Sequence, residues 1–288
     1  MSVLFSIILP TFNRQINLKR IVSNLNLQSF TNWELIIIDD TSVPWDYDFI
    51  KSNIIYRNRG QKLGVSSARN IGASLAQGNY LIFLDDDDEF SIEWLYDFQI
   101  KLSEKPDIVF CNMKVYDTLS KKEFEVLAEG TLKSTFDHRL VIPGCWCIKK
   151  ELFKFIGGYD ERFLFGENTE LFFRINLKCP NLSFINKVNF FYNQSLDGGS
   201  KDLKNMNSSI ELFLEKHMHL MSNDDVVNYY NILSVNYLRF KRYKCARTYI
   251  LKSNRIKFLK GKVIFRYLVS FVPFISNLIY PKIPKIWI

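Results

Sequence analysis

The chain has 288 residues, 47% of them apolar, and a formal net charge of +8. That composition supports a full core and excludes a disordered or fibrous chain. The charge is segregated: 13 of the 38 Lys and Arg, and none of the 30 acids, lie after Asp225, which leaves a net −5 on residues 1–225. An acidic body with a basic tail suits an anionic partner for the tail, either nucleic acid or a membrane surface. The five cysteines form no CxxC pair, and their odd number suggests reduced thiols in the cytoplasm, not a disulfide framework.

Residues 1–10 are apolar but carry no basic leader and no small-residue cleavage site, so they read as a first buried strand ending at Pro10. Further short apolar runs follow at 35–38, 54–56, 81–84 and 108–111. Between them lie stretches with helical spacing at 17–27, 66–76 and 92–101. Alternating strands and helices predict βαβ crossovers, hence an α/β fold with a mainly parallel sheet flanked by helices. Ligands of such sheets collect at the carboxyl ends of the strands. Two of these ends carry acids: Asp39-Asp40 and Asp85 to Asp88. Farther on, 140–148 reads as a strand containing Pro143-Gly144, 169–177 as a helix and 184–192 as extended; from Ser208 the pattern is helical.

Asp85-Asp86-Asp87-Asp88-Glu89 directly follows a buried apolar run. Five successive acids repel one another, and a divalent cation would offset the repulsion. All-oxygen donors suit Mg²⁺ or Mn²⁺, with a diphosphate completing the shell. The plainer alternative is a solvated turn capping the helix that starts near Ser91.

Four motifs in order resemble glycosyltransferase family 2, the GT-A fold. They are Ser6–Asn13 (SIILPTFN), Trp33–Asp40 (WELIIIDD), Gly64–Gly72 (GVSSARNIG) with Gly78–Asp88, and Gly157–Phe163 (GGYDERF) with Gly166–Leu171 (GENTEL). The resemblance covers about residues 3–195. It implies a catalytic domain at 1–205, divided into a nucleotide-sugar half at 1–112 and an acceptor half at 113–205, and a helical extension at 206–288.

The resemblance also implies roles. Pro10, Thr11 and Phe12 wall the nucleotide base, most naturally the uracil of a UDP-sugar, and Asp40 accepts a hydrogen bond from it with Asp39 alongside. Arg69 reaches the nucleotide side, or else is a surface helix charge. Asp85 and Asp87 form the DxD pair with Asp87 as metal ligand, and Asp86 meets the ribose or sugar. Trp146 stacks on an acceptor sugar, or else is a core residue. The acceptor is a saccharide or a lipid-pyrophosphate-linked glycan, and the setting is bacterial surface polysaccharide, O-antigen or capsule.

One position departs from the family pattern. Inverting members take their general base from the Asp of a Glu-Asp pair, and here the pair reads Glu167-Asn168. An amide cannot accept the proton. Glu167 is the first substitute and Glu170 the second; the remaining alternative is a weakly active or non-catalytic binder in which Asn168 only orients the acceptor. In the tail, 263–279 contains Arg266 and Pro273 and falls short of the ~20 apolar residues that span a bilayer. It suits a helix lying in the interface of the inner face of the cytoplasmic membrane, or else one packed on the body. Nucleic acid is the less favoured partner.

Overall fold

The computed structural model describes residues 3–44, 51–117, 121–129, 141–194, 202–258 and 261–281. Its sheet begins with β1 (Phe5–Thr11), β2 (Trp33–Asp39), β3 (Ile54–Asn58) and β4 (Tyr80–Phe83), all mutually parallel in the order β3-β2-β1-β4. Helices α1 (Gln15–Asn26) and α2 (Val65–Leu75) make the crossovers. β1, β2 and β4 are buried almost throughout, so their sequences are continuous apolar runs and do not alternate. Close approach of α2 is fixed by Gly72, where a Cβ would lie 2.4 Å from Ile8 Cγ2.

The other half of the sheet is mixed. β8 (Trp146–Lys149) is antiparallel to β4 and to β6 (Ile108–Asp117); β6 also pairs with β7 (Lys122–Val126) and, in parallel, with β9 (Leu182–Gln194). β5 (Glu89–Phe90) pairs antiparallel with β9. Helices α3 (Trp94–Lys101), α4 (Lys150–Ile156) and α5 (Glu167–Asn176) complete this part.

The expected strand at 140–148 is thus shorter. Its first residue lies outside the described residues, 141–145 is turn, and Gly144 has φ +86° and donates its N–H to Phe83 O at 2.7 Å. The Phe190 ring fills the space a Cβ at Gly144 would need.

Compact units fall at residues 1–198 and 199–288. The second contains α6 (Leu203–His217), α7 (Asn223–Arg239), α8 (Tyr243–Ile256), α9 (Gly261–Val269) and α10 (Pro273–Ile279). Ile210, Leu214, Val226, Tyr230 and Leu233 form its core. Among the described residues no helix is long and apolar enough to cross a membrane.

Candidate active site

The carboxyl ends of β1, β2 and β4 lie side by side, because these strands are adjacent and parallel. They bring Thr11, Asp39-Asp40 and Asp85–Asp88 to one edge. The acids after β4 are matched by the chain's own groups. Arg69 Nη2 donates to Asp85 Oδ1 at 2.7 Å. Arg14 Nη1 bridges Asp86 Oδ1 and Asp87 Oδ2 at 2.7 and 2.9 Å. Thr11 Oγ1 donates to Asp86 Oδ2 at 2.8 Å, and Arg20 Nη1 to Glu89 Oε1 at 2.9 Å. Asp88 Oδ2 accepts from the Asp85 N–H at 2.7 Å, so Asp88 shapes the turn from inside.

Three arginines thus supply part of the positive charge that the sequence reading assigns to a divalent cation. Burial, and then the charge of Asp85, push the Asp88 carboxyl well above the usual carboxylate range. Burial also holds Asp86 above that range, although Thr11 and Arg14 pull it down.

A divalent cation still fits two of these residues. The Asp85 and Asp87 side chains are 40% and 58% exposed. Each uses one oxygen on an arginine, which leaves Asp85 Oδ2 and Asp87 Oδ1 as hard oxygen donors. Among the described residues no cluster of three or more His, Cys, Asp or Glu forms a full cage. Such a pair suits an ion that takes its other ligands from phosphate and water.

Asp39 and Asp40 stand at the expected strand end, and the chain's own donors already engage them. Asp39 Oδ1 accepts from Thr41 N at 2.8 Å and from Thr41 Oγ1, and Oδ2 accepts from Tyr56 OH at 2.8 Å. Asp40 Oδ1 accepts from Arg59 Nε at 2.5 Å and pairs with Arg59 Nη2; Oδ2 accepts from the N–H groups of Leu63 and Gly64 at 2.9 and 3.2 Å. A carboxylate has about four lone-pair sites, and four donors occupy those of Asp40. Both aspartates are buried and hold the strand-end loops, so Asp40 could accept from a base only by releasing one of these donors. Phe12 is exposed, with Lys62 Nζ 4.9 Å from its ring centroid, beside half-buried Pro10.

Arg69 is no surface charge: it is 2% exposed. Nη1 donates to Glu167 Oε1 at 3.0 Å while Nη2 holds Asp85, and its guanidinium lies 5.3 Å from the Tyr159 ring centroid. Burial works against its charge, but Asp85, Tyr159 and Glu167 outweigh that and raise its pKa. The next residue, Asn70, exchanges two 2.9 Å bonds with the Tyr159 backbone. This stitches α2 to the Gly157–Tyr159 turn. Gly158 is needed there: its φ is +70°, and a Cβ would lie 2.7 Å from Asn70 Oδ1.

Glu167 begins α5. Its Oε1 also accepts from Asn168 Nδ2 at 3.1 Å, and Asn168 Oδ1 accepts from Tyr159 OH at 2.9 Å. Asn168 is thus a clamp on Glu167, and Glu167 Oε2 is outside these bonds. Burial pushes the Tyr159 phenol up, so it stays a donor.

Two expectations are corrected here. Glu170 is fully buried and forked onto Arg174, whose Nη1 and Nη2 also donate to Ile156 O and Gly158 O. It braces the glycine turn and cannot reach an acceptor. Trp146 is fully buried between Phe83 and Phe172, at 5.5 and 4.9 Å between ring centroids, so it is core. Arg14, Asn70 and Tyr159 were missed as functional positions. All three lie inside the quoted motifs or next to them, but only the fold shows what they face.

The profile of Glycosyl transferase family 2 matches residues 6–157, over half of the chain. An uncharacterized glycosyltransferase of Haemophilus influenzae is 31% identical over 54% of this chain and 56% of its own length. The GalNAc(5)-diNAcBac-PP-undecaprenol beta-1,3-glucosyltransferase of Campylobacter jejuni is 27% identical over 98% of this chain and 96% of its own. The chain thus spans about half the length of the first of these relatives and nearly all of the second. S. aureus TarS 1–349 in complex with UDP-GlcNAc superposes with a TM-score of 0.60 at 14% identity, covering 94% of this chain and 91% of that one, which shows a shared GT-A fold. The chain belongs to glycosyl transferase family 2.

Proposed function

We propose that this protein transfers a sugar, with inversion, from a UDP-sugar to a saccharide or lipid-pyrophosphate-linked acceptor during assembly of a bacterial surface polysaccharide. The observation that carries this reading is Arg69, whose one buried guanidinium joins Asp85 of the donor motif to Glu167 of the acceptor motif. The names of the relatives support the acceptor class: the C. jejuni protein is a glucosyltransferase acting on an undecaprenol-diphosphate glycan. The UDP-GlcNAc complex of TarS supports the donor class.

In this reading Asp85 and Asp87 hold a Mn²⁺ or Mg²⁺ ion, which when bound neutralises charge developing on the departing diphosphate. Thr11 and Arg14 keep Asp86 turned toward the donor. Arg69 and Asn168 fix Glu167 through Oε1, so that Oε2 takes the proton from the acceptor hydroxyl as it attacks the anomeric carbon. Pro10 and Phe12 wall the base. Residues 1–205 form the catalytic domain. The basic, apolar-faced extension lies on the inner face of the cytoplasmic membrane, where a lipid-linked acceptor would be found.

The test is UDP release from a panel of UDP-sugars with a lipid-linked acceptor, and NMR of the anomeric configuration in the product. Release that needs acceptor and gives an inverted linkage is expected. Donor binding without release would instead indicate a nucleotide-sugar binder. Asn168→Asp is expected not to raise turnover, because Glu167 is the base; a clear rise would show that Asn168 marks a degraded site.

A further inference from the structure

Helix starts ordinarily draw negative charge to their free N–H groups. The start of α8 does the opposite. Its first turn holds no acid, and its N-cap, Arg242, makes no side-chain cap bond. Lys241, Arg242 and Lys244 stand exposed around it, with Arg247 a turn further on. Lys241 has φ +59°, and the N–H groups of Lys241 and Arg242 donate back to Leu238 O and Tyr237 O at 2.9 and 2.8 Å. That closes α7 and leaves both basic side chains at the corner.

Cavities of about 510 and 560 Å³ flank the corner, and Lys241 and Arg242 line both. Lys204 and Arg239 add to the first, Lys244 and Arg247 to the second. The carboxylate in these walls, Glu211, accepts from Tyr237 OH and Tyr249 OH at 2.6 and 2.7 Å. Arg239 is 8% exposed, and burial pulls its guanidinium below the ordinary value. Among the described residues four bases and Glu211 line the first cavity, and four bases and no acid line the second; like charges gathered this way repel one another, and a bound anion would relieve that repulsion.

The second cavity also has an apolar wall. Arg247 Nη1 donates to Ser270 O at 2.9 Å, and its guanidinium lies 4.5 Å from the Phe271 ring centroid, which brings Phe271 and Pro273 against the start of α8. Beyond them α10 exposes Phe274 and Leu278, 82% and 77% accessible, one turn apart. Exposed apolar side chains on one helix face suit contact with an apolar partner. A nucleic-acid backbone would supply phosphates but no aliphatic chain for that face.

We propose that the α7–α8 corner is a binding site for the phosphate headgroup of an anionic lipid, whose apolar chain meets Phe271 and the exposed face of α10. This rests on the membrane reading above and deepens it, replacing a diffuse basic surface with a discrete site.

The test uses the full chain with vesicles of phosphatidylcholine, with or without a third of phosphatidylglycerol. Binding only to the anionic vesicles is expected. Lys241→Gln with Lys244→Gln should weaken it about tenfold or more, while the equal charge loss of Lys252→Gln with Arg255→Gln should cost no more than about threefold. Equal losses in the two double variants would mean dispersed charge and overturn the site.

Titration with soluble dihexanoyl phosphatidylglycerol separates the site from the membrane reading. If the chain ignores vesicles but binds this lipid, and the Lys241/Lys244 variant does not, the site stands and the membrane reading fails. Binding to neither overturns the site. Inorganic phosphate binding as tightly as the lipid, or a DNA duplex competing with it at equal affinity, would also overturn it. Unchanged circular dichroism melting of both variants keeps the comparison valid.

Discussion

Arg69 holds two carboxylates on one guanidinium with almost no access to water. Removing it would leave Asp85 and Glu167 facing each other without a shared cation. Glu167 should be tested first, because it is the carboxylate whose outer oxygen is outside the clamp. Glu167→Gln keeps a hydrogen-bond acceptor for Arg69 but cannot take a proton. It should lower kcat by about 10²-fold or more while leaving UDP-sugar binding within about threefold. Undiminished turnover would remove Glu167 as base.

Arg14 makes a second case at this scale. Its guanidinium sits on Asp86 and Asp87, the latter expected to hold the metal, and it is half exposed, so it can move away. Arg14→Gln takes away a competing cation, and Mn²⁺ affinity measured by electron paramagnetic resonance should rise several-fold. Asp87→Ala should weaken it by about tenfold or more. If Arg14→Gln binds Mn²⁺ no better, the arginine is not a competitor for the site.

Among the elements, the pairing of α2 with the Gly157–Tyr159 turn decides whether donor and acceptor motifs meet. Asn70 does this with a side-chain amide that imitates a strand pairing to Tyr159. Asn70→Ala leaves the Tyr159 N–H and carbonyl without these partners, at a cost of about 1–3 kcal/mol in denaturant unfolding. It should also lower turnover more than donor affinity, because Glu167 sits on the far side of the stitch. Equal loss in both would point to general loosening.

The parallel strands were legible in the sequence because burial on both faces writes them as unbroken apolar runs. β7 was not, since four of its five residues are exposed and it has no apolar run. β5 has two residues, too few for any period. α4 was missed because it follows β8 without a loop, the chain turning from strand to helix at Lys149. Most of the site residues were legible as motifs, but their partners were not. Arg14 and Asp86 are 72 positions apart and Arg69 and Glu167 are 98 apart, distances that no local pattern encodes. Trp146 and Glu170 were misplaced for a related reason: residue type and motif position say nothing about burial.

On the scale of the molecule, the two units carry opposite charge, and their binding should respond differently to salt. Residues after Asp225 hold 13 bases and no acid, many of them exposed. Attraction of such a surface to an anionic bilayer decays over a Debye length of ~10 Å at ~0.1 M salt and ~3 Å at ~1 M. The site proposed to bind the donor is held by buried Arg69, which reaches Asp85 and Glu167 in direct contact, where screening is weak. Raising NaCl from ~0.1 M to ~1 M should therefore weaken binding to anionic vesicles by about tenfold or more, while UDP affinity measured in parallel falls by less than about threefold. Some vesicle binding should survive at high salt, because burying Phe274 and Leu278 does not depend on charge. The double variant Phe274→Ser with Leu278→Ser should lose that residue of binding and keep the salt-sensitive part. Vesicle binding indifferent to salt, or a UDP affinity that falls in step with it, would mean that the two units do not divide the work between charge at the membrane and contact at the donor.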